Sequence, residues 1–381
     1  MALEKKRTFI FLYLNTGAGH VSAAKVLAHE LAAHHAGVNI RMVNGFGKNN
    51  RLGHLLFEIG YNFACNYIHG LFPLIYDLSA FRFVQTMVLK MIRGKTTRYL
   101  KSLFAQELPT DVVSFHFALS PVAARAIRQL ALPIKLTVIV TDPFTVPTAW
   151  FYDLSLDYLV YSAAAKQVGV EQCHVPAEQI TIVPFLMNRR YRMPTLTADE
   201  RRALCIRHGF NPDKKMVLLV GGGEGLPGTA DIIQQCVFHK ADFSIAVVCG
   251  RNKALHEVLL LLSKTYSKLD LHVFGFIDYL DELVKISDCV VIKAGPAMLM
   301  EVLQQRKPII ITTYIHNQEL GNMRFAVYND VGYFIQRPHD IFLKINELLG
   351  DNDFDKKMRH SFDRLSLSTD AAVTARLLLE K

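Results

Sequence analysis

At 381 residues, 51% of them hydrophobic and 20% charged, the chain is too apolar to be disordered and too long for one hydrophobic core, so two domains are expected. The formal net charge of +9 favours anionic surfaces, but no zinc finger, basic zipper or RNA-binding signature accompanies it, which sets nucleic acid aside. Six cysteines without CxxC or paired spacing are core thiols of a reducing compartment, not a disulfide or zinc framework.

Met1 to Arg7 lead directly into an apolar strand, Thr8–Leu14, with no secretory signal. Every apolar run falls short of the ~18 residues that span a bilayer, so a cytoplasmic protein without a transmembrane helix is expected. The strand ends in Asn15-Thr16-Gly17-Ala18-Gly19-His20, and a helix follows over Ser22–His34. Ligands of open α/β sheets bind beyond the carboxyl ends of strands, where small residues allow close approach. His20 there either serves as a general base on a hydroxyl or caps its own turn. A dinucleotide site fits less well, because the third glycine of GxGxxG is missing and no acidic residue closes the strand near Ile40–Val43.

Residues 51–105 are unusual. Leu52, Leu55, Leu56, Ile59 and Phe63 fall on helical spacing, and aromatic residues are dense from Phe57 to Phe83. A second helix places Val84, Met87, Val88 and Met91 on one face and Lys90, Arg93 and Lys101 on the other, with six basic and no acidic residues between Phe81 and Leu103. The pattern suits an amphipathic element lying on an anionic membrane, or helices packed into the first domain. Gly94-Lys95-Thr96 is no P-loop ending, since Leu89 stands where the first glycine is required. Further strands are predicted at Asp111–Ser114, Leu136–Val140, Tyr158–Tyr161 and Ile180–Val183. The lone tryptophan, Trp150, sits in an aromatic cluster that holds an acyl chain or fills the core.

The basic stretch Asn188 to Pro194 reads as a linker, and the strand–turn–helix rhythm then restarts. Strands are predicted at Met216–Val220, Phe243–Val248, Leu271–Val273, Cys289–Ile292 and Pro308–Ile311. Gly221-Gly222-Gly223-Glu224-Gly225 strips Cβ atoms from the turn after the first of these, which lets main-chain amides approach a diphosphate. Asp278 to Glu282 are solvated acids at a helix start more than a metal site. Lys293-Ala294-Gly295-Pro296 opens another helix whose free N–H groups suit a phosphate, with Glu301 a turn or so inside in reach of a sugar hydroxyl. Gln318 and Glu319 follow the next strand, and the set reads either as a nucleotide-sugar site or as ordinary strand–helix turns. A last helix, roughly Ala371–Leu379, is expected to return to the first domain. The predicted organisation is α/β: 1–190 as an acceptor and membrane-associating domain, 195–350 as a donor domain, and 351–381 as a helical segment packing back on the first.

In this order, these motifs resemble the diacylglycerol glycosyltransferases, that is monogalactosyldiacylglycerol synthases and bacterial processive diacylglycerol glucosyltransferases. Val248-Cys249-Gly250-Arg251-Asn252-Lys253, Phe274-Gly275-Phe276 and Gln318-Glu319-Leu320-Gly321-Asn322 complete the set. The resemblance implies a GT-B fold, two doubly wound domains facing across a cleft, and an inverting transfer of a hexose from a UDP-sugar to a lipid hydroxyl at the cytoplasmic face of a membrane, without metal or cofactor. By motif, Gly222, Gly223 and Ala294-Gly295-Pro296 would hold the diphosphate. Phe276 and Ile277 would flank uracil, Glu301 would bond the ribose, Gln318 and Glu319 would address the hexose, and His20 would be the base.

The chain departs from the family on the acceptor side. No histidine stands between Asp142 and Trp150, and Val183-Pro184-Phe185 replaces Gly-Ile-Pro; Asn317 also stands where a glycine is usual. A UDP-sugar 2-epimerase, a transferase with a non-glycerolipid acceptor, and an inactive nucleotide-sugar-binding protein are the alternatives.

Overall fold

The computed structural model describes residues 7–16, 18–35, 37–60, 82–192, 196–350, 352–365 and 367–380. Gly17, Cys65, Met193 to Thr195 and most of the aromatic-rich stretch between Phe57 and Phe83 lie outside these. The chain forms two units: residues 1–187 with 316–318 and 368–381, and residues 188–315 with 319–367.

The first unit is built on one parallel sheet of β1 (Arg7–Tyr13), β2 (Val38–Asn44), β3 (Asp111–Ser114), β4 (Lys135–Ile139), β5 (Asp157–Val160) and β6 (Ile180–Ile182), in the order β2-β1-β3-β4-β5-β6. Strand alternation splits its core in two. Ile10, Leu12 and Leu14 join Val112, Val138 and Trp150 on one face. Phe9 and Phe11 join Leu27, Phe115 and Ile139 on the other. The last helix, Ala371–Glu380, completes that second face with Ala371, Ala375 and Leu378, a spacing of four and three that presents one helix stripe. Arg7 Nη1 also donates to Leu379 O at 2.7 Å. Of the segment 351–381, only this return belongs to the first unit; the helix Asn352–Arg364 stays with the second.

The second unit repeats the plan with β7 (Met216–Val220), β8 (Ser244–Val248), β9 (Leu271–Phe274), β10 (Cys289–Lys293), β11 (Ile309–Thr313) and β12 (Gly332–Phe334), ordered β12-β11-β10-β7-β8-β9, all parallel. Its central strands are unbroken apolar runs because helices cover both faces. In each sheet the chain leaves the first strand in one direction and later returns to its other side. The reversal falls between β1 and β3 in one unit and between β7 and β10 in the other, and such points open a crevice beyond the strand ends. β12 is absent from the sequence reading; three residues after Asp330, which sits at φ 54°, leave no periodicity to detect.

Candidate active site

In the first unit the crevice between β1 and β3 is lined by the residues that follow those strands. The helix after β1 begins at Ala18, so His20 sits in its first turn. Its Nδ1 is 2.7 Å from Thr141 Oγ1, just past β4. The His20 ring lies 4.9 Å from that of His116, which follows β3, and 6.1 Å from that of Trp150. Burial in this aromatic pocket draws His20 down to about 4, against the pull of a backbone hydrogen bond with Phe115, so the imidazole is neutral at pH 7. Burial and the neighbouring His20 push His116 well below the ordinary range as well. His116 Nδ1 accepts from Ala118 N at 3.2 Å, which places its proton on Nε2. Trp150 is fully buried, and its indole donates to Asp142 Oδ2 at 2.7 Å; of the two roles open to it, filling the core is the one its position serves.

In the second unit the Gly-rich loop follows β7 and the Gly-Pro turn follows β10, the two strands flanking the reversal. Gly222 adopts φ 85° with open space where a Cβ would stand. Gly250, at φ 61°, lies against this loop: a Cβ there would come within 2.4 Å of Gly223 O, and Arg251 N donates to that same carbonyl at 2.7 Å. Gly295 caps the helix Pro296–Gln304 with no side-chain partner, leaving the first-turn amides and the positive end of the helix dipole facing the crevice. Ala294 is buried, and its carbonyl accepts from Asn322 Nδ2 at 2.8 Å, while Asn322 Oδ1 is buried without a partner.

Glu301 lies inside this helix, bonded to Tyr191; burial, reinforced by Asp281, raises its carboxyl to about 8 although the Tyr191 hydroxyl pulls downward. Tyr191 belongs to the short helix Arg189–Arg192, and its carbonyl accepts from Gln305 Nε2. The stretch read as linker thus inserts a buried ring into the second unit. Glu319 is buried: Oε2 accepts from Ile315 N at 2.8 Å and Oε1 pairs with Lys293 Nζ at 3.4 Å. Gln318 is half-buried beside it in sequence. Phe276 is 69% exposed, with the Arg251 guanidinium 5.8 Å from its ring centroid, and Ile277 is half-buried.

The helix Arg82–Glu107 has two faces. Ile92, Thr96, Leu100, Leu103 and Phe104 point into the core, Thr96 receiving a bond from Asn50 Nδ2 at 2.8 Å. Phe83, Met87 and Met91 form an exposed apolar row, whereas Val84 and Val88 are half-buried. Lys90 and Arg93 are exposed and Lys101 half-buried. Among the described residues no helix is long and apolar enough to cross a membrane. Sequence reasoning assigned no role to Tyr191, Thr141 or Glu58, and none to Asn322 beyond its place in the motif Gln318 to Asn322; Glu301, His20, Asn15 and Ala294, the partners that give them one, stand far off in sequence.

Residues 216–337 match the family model described as the glycosyltransferase family 28 C-terminal domain. Monogalactosyldiacylglycerol synthase 1 of Arabidopsis thaliana is 29% identical over 284 residues, 72% of this chain but 50% of its own length. Processive diacylglycerol beta-glucosyltransferase of Bacillus cytotoxicus is 26% identical over 380 residues, 99% of this chain and 94% of its own. The chain thus spans about half the length of the plant relative and nearly all of the bacterial one. Among solved structures, Acinetobacter baumannii MurG superposes with a TM-score of 0.62 at 14% identity, covering 98% of this chain and 100% of its own. The resemblance expected from the ordered motifs is borne out, and so is the fold: two doubly wound parallel sheets of the GT-B class.

Proposed function

We propose that this chain is a glycosyltransferase that moves a hexose from a UDP-sugar to a lipid hydroxyl, that of diacylglycerol, with inversion at the anomeric carbon. One observation carries the reading: at the reversal of the second sheet, a Gly-rich loop and an uncapped helix N-terminus open beside each other, and a carboxyl follows a turn deeper. Gly222, Gly223 and the Ala294-Gly295-Pro296 turn cradle the diphosphate, Phe276 and Ile277 meet the base, Glu301 the ribose, and Gln318 and Glu319 the hexose. Main-chain amides and the helix dipole stabilise charge on the departing UDP. Glu319, with both oxygens engaged, acts on the sugar through the shape of its loop or after releasing Lys293.

His20 is the base. It is held neutral at pH 7 and oriented by Thr141, so it accepts the acceptor's proton as the hydroxyl oxygen attacks the anomeric carbon and the bond to UDP breaks. Lys90, Arg93 and Lys101 attract an anionic leaflet, and Phe83, Met87 and Met91 enter its interface. Incubation with radiolabelled UDP-glucose or UDP-galactose and diacylglycerol vesicles tests this, with label expected in the organic phase. UDP binding without such label supports a nucleotide-sugar-binding protein instead, and label in a free epimeric sugar nucleotide supports an epimerase.

A further inference from the structure

The short helix His54–Gly60 presents His54 and Glu58 on one face and exposes Leu55, Leu56 and Ile59 on the other. Glu58 Oε1 accepts from Asn15 N and from Asn44 Nδ2, each at 2.7 Å, and Oε2 meets His54 Nδ1 at 2.5 Å. His54 Nε2 in turn donates to Gly47 O at 2.6 Å. Asn15 opens the turn that leads to His20, beyond the last β1 ladder residue, Tyr13, so its N–H has no sheet partner and depends on this carboxylate. The same helix touches the histidine cluster a second time: the Phe57 ring stands edge-on to His116, centroids 6.0 Å apart, and His116 faces His20. Against the upward push of burial, the bonds from Asn15, His54 and Asn44 keep Glu58 below the usual carboxylate range.

We propose that Glu58 is a positioning residue, which fastens the helix His54–Gly60 to the backbone of Asn15 and so fixes the turn that carries His20. The role rests on the reading of His20 as the base of sugar transfer, but the fastening itself is tested without activity. Glu58→Gln keeps every bond: its amide oxygen still accepts from Asn15 and Asn44, and its amide nitrogen donates to Nδ1 of a neutral His54 whose Nε2 still donates to Gly47. Glu58→Ala removes all three, and Glu58→Asp keeps the charge but withdraws it by one methylene. Amide hydrogen exchange is followed in the Leu14–Thr16 segment, alongside steady-state kinetics. Exchange should accelerate in Glu58→Ala and Glu58→Asp and stay as in wild type in Glu58→Gln. In the same variants kcat should fall by up to about 10²-fold, the scale of a displacement near 1 Å, with the donor KM within roughly twofold, and Glu58→Gln should recover most of it. Unchanged exchange in Glu58→Asp and Glu58→Ala overturns the proposal, as does full kcat in a variant whose segment has opened. If Glu58→Ala fails to fold, Glu58→Asp against Glu58→Gln decides. A wild type that transfers no sugar refutes the transferase reading alone, since the exchange comparison still judges the fastening.

Discussion

Burial holds both His20 and Glu301 in their neutral forms, which lowers the one and raises the other. For His20 the folded value of about 4 lies below the ordinary 6.5, so the proton is taken up less readily in the folded chain. The stability this gives is full above pH 6.5 and is lost as pH falls toward 4, and the acidic limb of activity belongs in that same low range. His20→Ala should lower turnover by ~10²–10⁴-fold, the contribution of a positioned base, and remove the limb, while UDP affinity measured by calorimetry stays within a factor of two or so. For Glu301 the folded value of about 8 lies above the ordinary 4.5, so the folded chain retains a proton that the unfolded chain releases. Stability should therefore fall as pH rises from 4.5 to 8. Thermal scans across that window should show a declining Tm in wild type and a flatter profile in Glu301→Gln; identical slopes would mean that Glu301 is ionised in the fold.

At the scale of the elements, the donor loop separates two demands made on glycine. Gly250 is required by the fold, since φ 61° and a contact of 2.4 Å with Gly223 O leave no room for a methyl group. Gly250→Ala should thus lower Tm and UDP affinity together, by more than ~1 kcal/mol of stability. Gly223 has open space at its Cβ position and no positive φ. Gly223→Ala should leave Tm unchanged and weaken UDP binding, because only a ligand at the backbone meets the added methyl. Equal affinity for UDP in this variant would move the diphosphate elsewhere. On the helix Arg82–Glu107, neutralising Lys90, Arg93 and Lys101 together should release the protein from anionic vesicles at moderate salt, at roughly 1 kcal/mol per basic residue. The strands were legible where apolar residues ran without interruption: Met216–Val220 and Asp111–Ser114 were predicted to the residue. The turns after them were legible because glycine is local chemistry. Glu58 and Tyr191 were not, because their partners, Asn15 and Glu301, stand 43 and more residues away and only the finished fold unites them. Of the apolar face expected from Val84, Met87, Val88 and Met91, the two methionines are exposed and are joined by Phe83, whereas Val84 and Val88 are half-buried.

For the whole molecule, the second unit is continuous from 188 to 367 apart from residues 316–318, and it contains Tyr191, the partner of Glu301. A fragment 188–367 should bind UDP as the full chain does, whereas one starting at 195 should bind it more weakly; a folded 188–367 fragment without affinity, beside a full chain that binds, would refute the donor assignment. Leu378→Ala, at the far end of the sequence, should destabilise the first unit by about 2–5 kcal/mol through the cavity it leaves among Phe9, Phe11 and Leu27. The return of residues 368–381 to the first sheet also bears on the order of events at the ribosome. Phe9 and Phe11 are translated before the second unit, whereas Ala371, Ala375 and Leu378, which pack on the same face, follow every described strand of that unit. The sheet begun before the second unit is completed only after it. While the second unit is being made, this aromatic face carries Leu27 but lacks Ala375 and Leu378, which leaves the nascent chain open to holding factors until the return helix follows.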